Sequence, residues 1–271
     1  MSTDGLVGGQ AGTGEMLAEL ASERSFSAGL DYGFELDETD RVAHGEMRLS
    51  DHVMTPSGRW ARASALLTVA DMAVGGSLLY VTDPAVPLTV DMALHQVAPP
   101  ASATLELEAT LSKVGRTVSC GEVVFRDAEA GHVVAVATLV FAATPNPNTY
   151  TNGTSRTGGA PGTMDRDFLE WCDVRTPSIG VAEVDRAPGR GNSLGSLQGG
   201  LVVLLGEVAT ETLSGREVSS IEVRYLHSVH VGPGQGVATQ LGPDFYRAEV
   251  RDSGNENRLC ALVYVRTEED R

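Results

Sequence analysis

The sequence predicts an α+β protein in which one architecture is written twice. Three observations carry this. Two long segments are apolar on nearly every side and each holds one interior carboxylate, Asp71 and Glu207, 136 residues apart. Each segment is followed by four runs of β-branched, alternating residues. Between the two blocks lies a stretch rich in Pro, Asn, Gly, Thr and Ser with no apolar periodicity, residues 144–163, which is linker chemistry.

The elements follow in order. Residues 15–23 form a short amphipathic helix candidate, and residues 35–49 an extended run. Residues 62–80, RASALLTVADMAVGGSLLY, are long enough to suggest a membrane span. Asp71 argues against one, because a carboxylate at a bilayer centre costs about 2.5–3.5 kcal/mol on insertion scales. A helix apolar all round in a globular protein is instead wrapped by other structure. Strands are expected at 87–98, 103–114, 116–126 and 132–142. After the linker the series repeats: a short helix at 165–173, an extended run at 179–186, the helix 198–213 (QGGLVVLLGEVATETL), then strands at 217–229, 235–241, 245–251 and 258–267. Short turns between the strands favour antiparallel pairing. The expected units are residues 15–143 and 164–271, each a curved antiparallel sheet around one long helix.

Composition narrows the function. The 271 residues carry 20 Lys+Arg against 36 Asp+Glu, a net charge of −16. Such a surface repels phosphate backbones and anionic lipid, so neither nucleic acid nor a membrane is an expected partner. Cys120, Cys172 and Cys260 are widely spaced and the six histidines show no ligand spacing, so neither a disulfide framework nor a metal site is expected. No basic-then-apolar leader opens the chain, and a cytoplasmic protein is the expectation.

Several short motifs then resemble the hotdog fold, and within it the PaaI-like and acyl-CoA thioesterase group, here as a tandem double hotdog. The family pattern is an Asn, five residues, then HGG at a loop-to-helix junction, with an acid nine residues after the His. The second half reads Asn192, Gln198-Gly199-Gly200 and Glu207, with Gln198 in place of His. The first half reads Asp71 within LLTVADMA, and Thr89 opens the next strand. Its own loop lacks the motif: Pro56 stands where Asn192 does, and Arg62-Ala63-Ser64 replaces Gln-Gly-Gly.

The resemblance implies hydrolysis of an acyl-CoA thioester, with no cofactor, at composite sites between the halves. One site would combine Asp71 and Thr89 with Asn192, Gln198 and Gly199. A second, degenerate one would combine Glu207 and Ser220 with Pro56, Arg62 and Ala63. Gly199 N–H, at a helix N-terminus, would hold the developing oxyanion. Asp71 would act as base or nucleophile, and Thr89 would position water or the carboxylate. Asn192 and Gln198 would orient the carbonyl or fix the loop. Arg59, Arg62, Arg116 and Arg190 are candidates for the CoA phosphates, and Arg62 could instead block the second site. A homodimer of double hotdogs is expected. Two alternatives stay open: a non-catalytic acyl-thioester-binding protein, and a hotdog hydratase or dehydratase. The last ranks lowest because neither central helix contains a His.

Overall fold

Twelve strands form one continuous antiparallel sheet in a computed structural model that describes residues 26–37, 41–82, 86–144, 164–187, 189–192 and 195–268. In chain order they are β1 (Asp31–Asp37), β2 (Val42–Arg48), β3 (Pro87–Gln96), β4 (Thr104–Lys113), β5 (Val118–Asp127), β6 (Val133–Ala143), β7 (Arg175–Ser178), β8 (Val181–Val184), β9 (Val218–Tyr225), β10 (Gly234–Gln240), β11 (Phe245–Asp252) and β12 (Arg258–Thr267). The helices are α1 (Ala63–Thr82), α2 (Phe168–Cys172) and α3 (Gly199–Ser214). The sheet order is β1-β2-β4-β5-β6-β3-β9-β12-β11-β10-β8-β7. Read inward from either edge, the same sequence of connections appears, and the seam is the β3–β9 pair, with Asp91 opposite Arg224 and His95 opposite Ser220. An Arg224–Asp91 ion pair at 2.8 Å crosses that seam.

Both long helices begin within one residue of where the sequence placed them. α1 is long and apolar enough to cross a membrane by length and composition, yet twelve of its residues, from Ala63 to Leu78, are buried in the fold. Its low amphipathicity is that of a helix with protein on most sides. α3 starts at Gln198, an N-cap whose side-chain oxygen accepts from Gly200 N–H, and ends at Gly215, whose φ of +69° gives the left-handed C-cap that glycine adopts without strain.

The two helices touch in antiparallel fashion. A Cβ at Gly200 would collide with the Thr68 hydroxyl, so the start of α3 can lie this close to α1 only as glycine. Further along, Glu207 meets Ser64. Each helix N-terminus therefore sits beside the middle of the other helix.

Two sequence expectations need correction. The extended runs preceding the helices are hairpins, not single strands: β1–β2 where one run over 35–49 was expected, and β7–β8 in place of 179–186. The expected helix at 165–173 is reduced to the five residues of α2, capped by the Asp167 side chain on Leu169 N–H. The helix at 15–23 and almost all of the linker, 145–163, lie outside the described residues.

A buried aspartate ends β5 and another ends β11, and the two play the same part. Asp127 accepts from Ala101, Ser102, Glu129 and Ala130 N–H groups. Asp252 accepts from His230, Val231 and Gly232 N–H groups. These donors hold the Asp127 carboxyl well below the usual carboxylate range. Neither residue carried a signal in the sequence.

Candidate active site

The site builds on α1. Asp71 lies midway along it, half-buried, and accepts a 2.7 Å hydrogen bond from the Thr89 hydroxyl. Thr89 can reach because β3 bulges there: Thr89 pairs with Phe141 and Asp91 with Val140, which leaves Val90 as the extra residue. Burial pushes the Asp71 carboxyl up to about 6, with the Thr89 bond pulling the other way.

Facing Asp71 across the helix pair is the N-terminus of α3. Gln198 takes Gly200 N–H at 2.5 Å, and the next two amides, Leu201 and Val202, bond the Gln198 carbonyl. Gly199 N–H has no acceptor among the described residues, which leaves one donor at the positive end of the helix dipole. Tyr225, at the end of β9, bonds the α3 side and feels the charge of the Asp71 side. Its hydroxyl donates to the Gly199 carbonyl at 2.8 Å, and its own titration is pushed up by burial and then by the charges of Asp71 and Asp91. Tyr32 on β1 is nearly enclosed and is pushed up to about 12 by burial and by Asp71. Phe26 packs near Gly200 and against Phe168.

Thus the Asp71–Thr89 pair faces the Gln198–Gly200 cap across the helix pair, and Tyr225, bonded to the Gly199 carbonyl, feels the charge of Asp71. The Asn192 side-chain oxygen accepts from Ser196 N–H and the Ser196 hydroxyl, at 3.2 and 3.1 Å, closing the loop that precedes α3. Tyr225 was missed, although its parity with the buried Ile221 and Val223 on β9 marks it as inward-facing.

The mirror-related site is closed. Glu207 is fully buried and accepts from Ala63 N–H at 2.9 Å, from Ser64 N–H at 3.1 Å and from the Ser64 hydroxyl. The amides that an oxyanion would need are taken by the acid itself. Arg62, 2% exposed, bonds Glu211 at 3.0 Å. Burial and the neighbouring Glu207 raise the Glu211 carboxyl. The loop before α1 is tied to the other half of the sheet by Ser57 on Glu217 and by Arg59 and Trp60 on Glu268. Pro56 sits in that exposed turn.

Ser220 does not face the helices. Ser219 is the bulged residue of β9, since Val218 pairs with Thr267 and Ser220 with Arg266. Plain alternation puts Ser220 on the face of Glu222 and Arg224, and the extra residue puts the buried Val218 where β3 has Thr89.

The candidate phosphate-binding arginines divide as sharply. Arg62 is buried on Glu211, Arg59 pairs with Glu268, and Arg190 bonds Asp173 and the Asp185 carbonyl. Those three guanidiniums are engaged within the chain. Arg116 is exposed and has no carboxylate partner among the described residues. Among the described residues no group of three or more His, Cys, Asp or Glu is placed to hold a metal ion.

No protein-family model and no curated protein matches the chain. Solved structures do. An acyl-ACP thioesterase from Bacteroides thetaiotaomicron is similar at a TM-score of 0.61 and 13% identity, over 86% of this chain and 100% of that one. A 12:0-ACP thioesterase from Umbellularia californica is similar at a TM-score of 0.61 and 10% identity, over 85% of this chain and 98% of that one. At such identities the likeness speaks for the fold: a large antiparallel sheet with few helices, the α+β hotdog type.

Proposed function

We propose that the protein is a thioesterase that hydrolyses an acyl-CoA thioester at one composite site. The observation that carries this reading is the Asp71 carboxylate, bonded to Thr89 and facing across the helix pair a helix N-terminus whose Gly199 N–H has no acceptor among the described residues. We read the mirrored strand order as two hotdog units, 15–143 and 164–271, so that the site combines an acid from one with a glycine N-terminus from the other. The thioesterase structures of the same fold support this class of chemistry.

The chemistry follows from the geometry. With its carboxyl at about 6, Asp71 is about nine-tenths ionised at pH 7 yet more basic than an ordinary aspartate. It takes a proton from water as the oxygen attacks the thioester carbonyl, or attacks that carbonyl itself to form an anhydride that water then opens. Either way the tetrahedral oxyanion forms on the Gly199 amide and the C–S bond breaks. In the first route the thiolate takes the proton Asp71 accepted from water. In the second it leaves as thiolate and is protonated by water, and hydrolysis of the anhydride restores Asp71. A donor of this kind typically contributes roughly 3–4 kcal/mol. No cofactor enters. The strongly acidic chain favours CoA over an acidic carrier protein, in a cytoplasmic setting, and the enzyme is expected to pair into a homodimer. The test is release of free thiol from acyl-CoA and acyl-ACP substrates by wild type and by Asp71→Asn. Hydrolysis lost in the variant supports the assignment; hydrolysis retained removes Asp71 from it.

A further inference from the structure

We infer that the cavity behind Phe141 is the subsite for the acyl chain, and that the Phe141 ring gates it and so sets the length of chain accepted. This rests on the thioesterase reading for the identity of the chain. The cavity measures about 310 Å³, at the small end of ligand pockets. It lies between the last turn of α1 (Val81, Thr82), the start of β3 (Pro87), the turn that leads into β5 and the end of β6. Its walls are mainly apolar, with Arg116 at the rim.

Phe141 joins this cavity to the reactive carboxylate. It is paired with Thr89 across β3 and β6, and side chains of paired residues share a face of the sheet about 5 Å apart. Its ring also lies against α1 at Gly75, one turn beyond Asp71, where a Cβ would be 3.4 Å from the ring edge. The ring is 2% exposed and at the same time lines the cavity. It therefore stands between the Thr89–Asp71 pair and the space beyond. Gly75 leaves the helix surface bare where the ring must swing.

The distance fixes the class of chain. Asp71 and Val81 are ten residues apart on one helix, about 15 Å of axial rise. A short acyl group ends before the ring; a medium-length linear chain displaces the ring and fills the cavity; a longer one emerges at the Arg116 rim.

The experiment uses two readouts on the full chain: hydrolysis of a series of linear acyl-CoAs from four to sixteen carbons, and calorimetric binding of the matching free carboxylates. Phe141→Ala should move both optima to longer chains, with at least a tenfold change in the ratio of long to short. Val81→Phe, which fills the cavity from α1 without leaving a hole, should move both optima to shorter chains and keeps the test decisive should Phe141→Ala fold poorly. Optima unchanged in both variants overturn the subsite, whether or not the protein hydrolyses thioesters. A shifted binding series without hydrolysis keeps the subsite and removes the thioesterase reading. Hydrolysis with no shift does the reverse.

Discussion

Replacing Asp71 by Asn should stabilise the protein at alkaline pH while abolishing its hydrolysis. The side chain keeps its shape and an oxygen for the Thr89 hydroxyl, now 2.7 Å away, so packing is unchanged. What changes is charge. The carboxyl moves from 3.8 to about 6 on folding, so the folded state holds its proton more tightly than the unfolded one. A group raised in this way gives stability that is complete below its unfolded value and is lost as pH rises through its folded value. Two units correspond to about 3 kcal/mol; with the residue only half-buried, about 1–3 kcal/mol is the fair range. At roughly 2–4 °C per kcal/mol for a chain of this size, Asp71→Asn should melt several degrees above wild type at pH 8. The difference should shrink toward zero at pH 4. Thermal denaturation across pH 4–8, with thiol release measured on the same samples, is the assay. A gain equal at both ends, or a variant less stable at pH 8, would refute the claim that burial of an ionised carboxylate is what the site maintains.

Four other outcomes follow from the same geometry. Glu207→Gln should lower Tm by removing charge-assisted bonds to the start of α1, a loss of about 1–3 kcal/mol, and leave hydrolysis largely intact; thermal melts and initial rates check both. Tyr225→Phe should cut kcat about tenfold with little change in KM, as expected for losing one hydrogen bond that holds the Gly199 peptide, read from steady-state kinetics. Asp127→Asn should melt below wild type at pH 7, and the deficit should vanish as pH falls through the depressed folded value, because the stability of a lowered carboxyl exists only above its unfolded value. Ser220→Ala should change neither rate nor Tm, within about 0.5 kcal/mol, in a parallel kinetic and melting comparison.

Both central helices were legible in the sequence because they are apolar all round, and that same surround made Asp71 and Glu207 stand out. Thr89 followed from the family resemblance, which implies a Ser or Thr at the start of the strand after the first helix. What stayed hidden depends on single-residue geometry. A bulge adds one residue and reverses every side chain beyond it, so Val218 and not Ser220 takes the inward place that Thr89 has on β3, for a reason no alternation pattern shows. The hairpin β7–β8 reads as a single run because each strand has only four residues; at β1–β2, with seven residues each, the run over 35–49 spanned residues 38–41 between the strands. The unequal fate of the two acids turns on what each helix N-terminus presents. Ala63 and Ser64 give Glu207 two amides and a hydroxyl, whereas Gln198 takes Gly200 N–H for itself and leaves Gly199 N–H with no acceptor among the described residues. Tyr225 has no motif around it and became visible only once the end of β9 met the start of α3.

The most direct test of the central claim is free-thiol release from a panel of short, medium, long and aryl acyl-CoAs, with wild type beside Asp71→Asn and Glu207→Gln. One competent site requires that the Asp71 change abolish turnover and that the Glu207 change largely spare it. Turnover lost with Glu207→Gln and kept with Asp71→Asn would contradict the account, and CoA esters bound without any turnover would mark a binding protein instead.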